Sequence, residues 1–337
     1  MTQNDHYFHI PQLAKRNAKA RRFKWLTASS LVVSLLFLVI FLADMVGKGY
    51  QAFGQTYIKV PVNITEKTVE FSHLAIDRKI YGRLVSRAWL RAIPQYVEEN
   101  PSWMNTNEER WVLADDNVDQ YVKGKYNKLK ETNRTLIDEM KAQGKVDIRF
   151  NTIFFSKGDS KIPEFSGFLA SMIGSIMTML VTMAIAVPLG VMTAIYLEEF
   201  AKDNRWTRLI EVNINNLAAI PSILFGMLGL AVFINFFGIP RSTPIAGGIT
   251  LALMSLPVII VSSKAALKAV PDSIRQAGFG LGLTKWQIVR DHVLPLAMPG
   301  MLTGSIIALA QAMGETAPLI MVGMIAFIPD AGTSLTE

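Results

Sequence analysis

The sequence contains no cysteine among its 337 residues. This absence excludes disulfide bonds, thiolate metal sites and cysteine nucleophiles. The glycine-rich motif G-x-x-x-x-G-K-[ST] is also missing, so we expect no P-loop for ATP. Histidine occurs only four times, and no nucleophile is paired with a base. The sequence therefore predicts no catalytic, cofactor or metal site, and the chain is not expected to be an enzyme.

Half of the residues are hydrophobic, and they are concentrated in long runs. A run of about 18 or more apolar residues can cross the ~30 Å hydrocarbon layer of a membrane as a helix. The sequence therefore predicts an all-α polytopic membrane protein. The predicted crossings cover residues 25–46, 165–197, 217–237, 245–262 and 294–328. The last run is interrupted at 314–318, where glycine and proline weaken a helix.

A basic tail, predicted at 1–24, precedes the first transmembrane helix, predicted at 25–47. Its cations are Lys15, Arg16, Lys19, Arg21, Arg22 and Lys24. Basic flanks usually remain in the cytoplasm, so we predict a cytoplasmic N-terminus. A tail that binds nucleic acid is the alternative. A cleavable signal peptide is a weaker one, because the apolar run is too long.

Residues 48–164 differ in character from the rest of the chain. Within them, residues 51–164 carry 18 basic and 16 acidic side chains, which is more than half of all charged residues. The segments 58–65 and 146–155 have strand patterns. The segment 115–145 predicts one long helix that begins at an Asp115 cap and ends near Gly144. These features predict an α+β extracytoplasmic insert without a catalytic constellation.

A polar segment at 273–295 lies within a predicted cytoplasmic loop at 264–293. The S/T-x-x-Q patterns at Ser273 and Thr284 predict two capping boxes, and hence two short helices hinged at 280–282. We predict inner faces formed by Ile274, Ala277, Gly278 and Leu281 in the first helix and by Trp286, Val289 and Val293 in the second. The small residues at 277, 278, 280 and 282 predict a groove for close approach of another backbone. An amphipathic connector on the lipid headgroups is the alternative.

This segment resembles the EAA loop of ABC importer permeases. The motif is Gln276-Ala277-Gly278, then Gly282, then His292-Val293-Leu294-Pro295. Gly282 and Leu294-Pro295 match the family pattern, whereas Gln276, Gly278 and His292 replace Glu, Ala and Ile. Two further stretches, "NNLAAIPSILFGMLGLAVF" and "GETAPLIMVGMIAFI", resemble the PstA-type permeases of phosphate-specific ABC importers. The resemblance covers about residues 165–328 and implies a MetI-like permease core.

The resemblance implies a phosphate permease subunit in the bacterial inner membrane. The implied partners are a PstC-type permease, a PstB-type ATPase dimer that hydrolyses the ATP, an extracytoplasmic phosphate-binding protein and membrane lipid; no nucleic acid is implied. The implied ATPase-coupling residues are Arg275, Gln276, Ala277, Gly278, Gly282, Lys285, Leu294 and Pro295. Family permeases end with a sixth span, so residues 329–337 are expected to be a stub of a truncated chain. A permease for another solute and a membrane-anchored sensor are the alternatives.

The candidate translocation and gate residues are Pro221, Gln311, Glu315 and Thr316. Glu315 is the only acidic residue in the last apolar run, and an intramembrane carboxylate is usually functional. A capping role at a helix break is the alternative. The family often has an arginine four residues before this glutamate. Here the position holds Gln311, from which a hydrogen bond to Glu315 is possible.

Overall fold

The computed structural model describes residues 11–126, 128–324, 327–330, 332 and 334–336. The first ten residues of the predicted basic tail and parts of the predicted C-terminal stub lie outside the described residues. The chain divides into two compact units, Met1–Thr152 and Ile153–Glu337. The predicted insert extended to residue 164, whereas residues 153–164 belong to the second unit.

The first unit contains one long helix, three strands and several short helices. In chain order these are α1 Pro11–Gly49, β1 Gly54–Ile64, α2 Glu66–Glu70, α3 Arg78–Tyr81, α4 Arg87–Arg91, α5 Ile93–Glu99, β2 Thr106–Leu113, α6 Asp116–Val122, α7 Glu131–Ala142 and β3 Val146–Phe150. Helix α1 joins the basic tail and the first apolar run without a break. The helical stretch Arg16–Phe53, which joins most of α1 to the short turn after it, is long and apolar enough to cross a membrane.

The three strands form one antiparallel sheet in the order β2-β1-β3. Every second residue from Ile58 to Ile64 of the central strand is fully buried, which is the period expected of a strand with one covered face. The strand predicted at 58–65 is therefore confirmed, while β2 was not predicted. The strand predicted at 146–155 is half wrong, because it ends at Phe150 and helix α8, Thr152–Ser156, follows.

The single helix predicted at 115–145 is wrong, because two helices occupy this segment. Helix α6 ends at Val122, and Gly124 has a φ of 70°, a left-handed conformation that glycine adopts without steric cost. The predicted cap is confirmed, since the Asp115 side chain accepts a hydrogen bond from the backbone N–H of Asn117. Gly144 has the same positive φ just after α7, so the predicted end is also confirmed.

The second unit is helical. After α8 its helices are α9 Leu169–Ile195, α10 Arg205–Ala218, α11 Ser222–Leu228, α12 Pro244–Lys268, α13 Asp272–Gly280, α14 Lys285–Ile288, α15 Leu294–Gly314 and α16 Ala317–Met321. Three π-helical segments extend or join them, at Tyr196–Phe200 after α9, Gly229–Phe236 after α11 and Val289–Val293 between α14 and α15. The predicted all-α core is confirmed.

Four helices in the described part of the chain are long and apolar enough to span a membrane, and the bent pair Arg205–Ala218 and Ser222–Phe236 makes up to five. The chain bends by 107° between the two helices of this pair. The predicted third span, 217–237, is therefore wrong at its start, because Leu217 belongs to α10. Pro221 explains the break: it lacks a backbone N–H, and it disfavours helical conformation at Ile220.

Helix α12 forms the centre of this unit and packs against both α9 and α15. Small residues allow the close approach: Ala186, Ala252 and Ala308 are fully or almost fully buried. Gly304 of α15 lies against Ser262 of α12 so closely that an added Cβ would be 2.0 Å from the hydroxyl oxygen. The core is thus built on backbone proximity, as is usual for helices that pack within a membrane.

Candidate functional site

The polar segment forms a helical hairpin, as predicted. Helix α13 ends at Gly280, and Gly282 has a φ of 78°, which lets the chain turn into α14. Gly278 lies directly against Ile288 of α14, since an added Cβ would be 2.6 Å from that side chain. The predicted groove therefore does not extend to Gly278, because the chain's own isoleucine fills the space.

One of the two predicted capping boxes is present. The Thr284 hydroxyl accepts from the backbone N–H of Gln287, and the Gln287 amide oxygen accepts from the N–H of Thr284 at 2.9 Å. The box predicted at Ser273 is wrong, because α13 begins at Asp272, directly after the N-cap residue Pro271, and Ser273 therefore lies inside the helix. An acidic residue in the first turn suits the positive end of the helix dipole and needs no reciprocal cap.

The buried side of the hairpin differs in part from the prediction. Val289 and Val293 are buried as expected, together with Ile288. Ile288 and Val293 pack in a cluster with Leu267 and Val270. Three predicted inner residues are exposed instead: Ala277, Leu281 at 80% and Trp286 at 57%. The two helices contact each other instead through Gly278 and Ile288, so these residues occupy the buried side of the hairpin.

A nearly buried ion pair attaches the hairpin to the helix bundle. The Arg275 guanidinium donates to Glu199 through Nη2 at 2.6 Å and through Nε at 3.2 Å. Glu199 is 5% exposed and Arg275 is 18% exposed. The hydrogen bond to Glu199 raises the pKa of Arg275, so the guanidinium remains charged.

Arg275 also binds the end of α12. Its Nη1 donates to the carbonyl oxygen of Val270 at 2.8 Å, and its Nη2 donates to that of Leu267 at 3.0 Å. Leu267 lies in the last turn of α12, where carbonyl groups have no partner within the helix. One side chain therefore holds three elements together: the π-helical end of α9, the C-terminus of α12 and α13.

A second ion-paired group lies at the same end of the bundle. Lys264 of α12 pairs with Glu211 of α10 and lies 3.8 Å from a carboxylate oxygen of Glu198. Glu198 and Glu199 are consecutive residues, and successive side chains on a helix diverge by about 100°. One carboxylate therefore turns toward α12 and the other toward the hairpin.

The predicted coupling residues fall into two groups. Arg275 and Gly278 are engaged within the chain, whereas Gln276, Ala277, Gly282, Lys285 and Pro295 are exposed and Leu294 is half-buried. The Lys285 ammonium lies 5.6 Å from the centre of the Phe200 ring. The sequence did not predict the ion pairs formed by Glu198, Glu199, Glu211 and Lys264. Two adjacent acidic residues directly after an apolar run were the available signal, because such charges need partners.

The candidate gate residues lie at a second break, at the end of α15. Helix α15 ends at Gly314, Glu315 has extended backbone angles, and α16 begins at Ala317. Glu315 is half-buried, and its side chain forms no hydrogen bond or ion pair with the described residues. The possible hydrogen bond between Gln311 and Glu315 is therefore not formed. Thr316 and Pro221 are exposed.

Helices α11 and α16 touch at a glycine. An added Cβ on Gly226 would lie 2.8 Å from Pro318 and from Met321. The segment after Pro221 and the segment after Glu315 are thus packed together, which sequence reasoning did not foresee.

Two sequence families match this chain. Residues 186–335 match the binding-protein-dependent transport system inner membrane component family. Residues 11–94 and 73–131 match parts of a domain of unknown function, DUF3333.

Curated relatives match about half of this chain at moderate identity. Phosphate transport system permease protein PstA 1 of Mycobacterium tuberculosis is 35% identical over 158 residues, which is 47% of this chain and 51% of that protein. The PstA protein of Yersinia pestis is 34% identical over 159 residues, covering 47% and 53%. The probable ABC transporter permease YqgI of Bacillus subtilis is 33% identical over 167 residues, covering 50% and 56%. The chain spans about half the length of these relatives.

Among solved structures, an inward-facing form of the MetNI methionine ABC transporter superimposes with a TM-score of 0.41 at 23% identity, over 46% of this chain and 73% of that chain. The predicted resemblance to PstA-type permeases is confirmed by the family match and the curated relatives.

Proposed function

Because residues 186–335 carry the domain of binding-protein-dependent transport inner membrane components, we propose that this chain is a membrane subunit of an ATP-driven importer whose solute is phosphate. The relatives named PstA support phosphate as the solute. In this proposal a PstC-type permease completes the path, and an extracytoplasmic binding protein delivers the phosphate. A PstB-type ATPase dimer hydrolyses the ATP, and this chain binds no cofactor.

The hairpin is the proposed docking site for the ATPase, and its two-sided construction supports this role. One side is fixed to the bundle by Arg275 and by the buried residues of α14. The other side presents large apolar side chains at its tip, namely Phe279, Leu281 and Trp286, all more than half exposed. Clustered exposed apolar groups on a polar segment are typical of a surface that a partner covers.

Substitution of the tip tests this function. In a strain without its own phosphate permease, the Leu281→Glu variant should insert normally but lose at least tenfold in phosphate uptake. It should also fail to co-purify with the ATPase, because a charge replaces an apolar contact that the partner buries. The matched control is Arg290→Gln on the same hairpin, which removes only an exposed pair with Asp291. Wild-type uptake by Leu281→Glu would exclude the tip from docking.

The proposed orientation places the N-terminus in the cytoplasm and the sheet of the first unit outside. Its support is the row of cations from Arg16 to Lys24, which precedes the apolar part of α1 within one helix. We expect a reporter that is active only outside the cytoplasm to be on when fused near Gly124 and off when fused near Asp203. The opposite pattern would reverse the topology.

The gate of the path is proposed at the break between α15 and α16. Non-helical backbone at membrane depth usually borders a cavity or other protein, since its polar groups need partners. Glu315 cannot attract phosphate by charge. Its proposed role is to hold a cation or a helix N-terminus of the second permease and to release it during the transport cycle. Gln311 lies in the last turn of α15 and Thr316 directly precedes α16, whereas Pro221 directly precedes α11, which packs against α16.

A further inference from the structure

A polar cleft of about 250 Å³ lies in the first unit, far in sequence from the transport motifs. Four cationic side chains line it: Arg83 and Arg87 from one segment, and Lys128 and Lys130 from another. Asn117 and Asn133 add polar groups to the walls. All of the lining residues except Asn133 fall within the part of the chain that matches the domain of unknown function.

The segment that carries the two arginines has a fixed backbone. Leu84 and Ser86 between them are fully buried. The N–H of Ser86 donates to the carbonyl of Leu113 at 2.9 Å, and the N–H of Asp115 donates to the carbonyl of Leu84 at 2.8 Å. Arg83 and Arg87 therefore project from a segment that is attached to the end of β2.

The segment that carries the two lysines is anchored in a similar way. Leu129, which is buried, lies between Lys128 and Lys130. The Asn117 side chain accepts from the backbone N–H of Lys128 at 3.2 Å and donates to Asp115 at 3.0 Å. Lys130 is the N-cap residue of α7, and no side chain caps that helix. Both lysines thus come from a backbone that is held against α6.

The charges of the cleft are unbalanced. None of the four cations forms an ion pair or a side-chain hydrogen bond with the described residues. The one carboxylate in the walls, Asp115, is engaged with the N–H groups of Asn117. Several cations elsewhere in this unit do form ion pairs, for example Lys145 with Glu109, Arg149 with Asp147 and Lys123 with Asp119. Four unpaired cations around one concavity repel each other, and an anion between them would relieve that repulsion.

We propose that this cleft binds a small tetrahedral oxyanion of the phosphate type. Arginine presents several N–H donors in a planar fork that suits such oxygens, and lysine adds a mobile point charge. At about 30 Å³ for each water molecule, the cleft holds an ion of five heavy atoms with several waters. The inference that an oxyanion binds depends only on the charges of the cleft. The inference that this oxyanion is phosphate rests on the proposed function.

The test uses the full chain in lipid nanodiscs of phosphatidylcholine. Titration calorimetry with inorganic phosphate at low salt should show saturable binding. The triple variant Arg83→Gln/Arg87→Gln/Lys130→Gln should lose at least tenfold in affinity. The matched control Lys67→Gln/Arg91→Gln/Lys141→Gln removes the same charge from exposed positions outside the cleft and should bind like the wild type. All of the replaced side chains are exposed, so circular dichroism should show that both variants fold.

Each result has a definite meaning. No saturable heat, or equal losses in the two triple variants, would overturn the proposal. If phosphatidylglycerol nanodiscs abolish the phosphate signal of both the wild type and the control variant, a lipid phosphate occupies the same cleft, and the oxyanion chemistry stands with the membrane as its source. Binding that persists in a chain that supports no phosphate uptake would reject the proposed transport function but not the cleft.

Discussion

Replacement of Arg275 by alanine should abolish phosphate uptake in cells, although the chain should still insert into the membrane. The change leaves the carboxylate of Glu199 buried without a counter-charge, which typically costs about 3–5 kcal/mol. It also removes both hydrogen bonds to the end of α12. The hairpin would then no longer be held against the bundle, so movement of the ATPases could not be transmitted to the helices.

Milder variants should rank by how many of these contacts they keep. Arg275→Lys keeps the charge but loses the planar fork, so we expect an intermediate loss. Glu199→Gln keeps an acceptor without the charge and should also be intermediate. Arg290→Ala is the control, because it breaks an exposed pair on the same hairpin, and such pairs contribute about 0–1 kcal/mol.

Measurements of ATP hydrolysis distinguish a role of Arg275 in coupling the ATPases to the helices from a purely structural role. In the assembled complex, Arg275→Ala should retain basal hydrolysis but lose the stimulation by the loaded binding protein. The double variant Arg275→Ala/Glu199→Ala should lose less than the sum of the single variants, because no unpaired charge remains. Normal uptake by Arg275→Ala would show that the hairpin does not depend on this pair.

Replacement of Glu315 by glutamine should lower phosphate uptake at least tenfold, while the complex still assembles and still hydrolyses ATP. Glutamine preserves the shape of the side chain and removes its charge. In this chain the carboxylate has no partner among the described residues, so a structural cap would be insensitive to the change. A gate that holds a cation of the second permease would lose its partner when the charge is removed, so uptake would fall.

The matched control for Glu315 lies one turn earlier. Gln311→Ala removes a side chain that forms no hydrogen bond with Glu315, so it should lower uptake less than Glu315→Gln does. Glu315→Asp keeps the charge and should retain more uptake than Glu315→Gln. Wild-type uptake kinetics for Glu315→Gln would show that the residue only ends α15, and the gating role would be wrong.

Local chemistry explains which parts of the hairpin were predictable. The Thr284 box was predictable because its two partners are three residues apart in the sequence. The sequence at Ser273 fits the same pattern, but this box does not form, because the helix begins at Asp272 after Pro271 and Ser273 lies inside it. A capping pattern identifies candidate N-cap residues. Neighbouring residues that also favour a helix start then determine which candidate becomes the N-cap.

The same contrast holds in the first unit. The central strand was predictable because apolar residues alternate along its sequence. The break at Gly124 was not, because the sequence on both sides of this glycine has a helical pattern. A glycine within a helical pattern permits a left-handed turn but does not require one. The packing of the segments on both sides of Gly124 determines whether the chain turns there.

The sequence alone determined what depends on composition and short spacing. Long apolar runs required membrane helices, and the motif from Gln276 to Pro295 indicated the permease family. Tertiary structure alone decided the contacts between distant residues. Arg275 and Glu199 are 76 positions apart, and the four cations of the cleft come from two segments that the sheet and α6 bring together. Such contacts depend on how helices and strands pack, and single-sequence patterns carry no information about distances between elements.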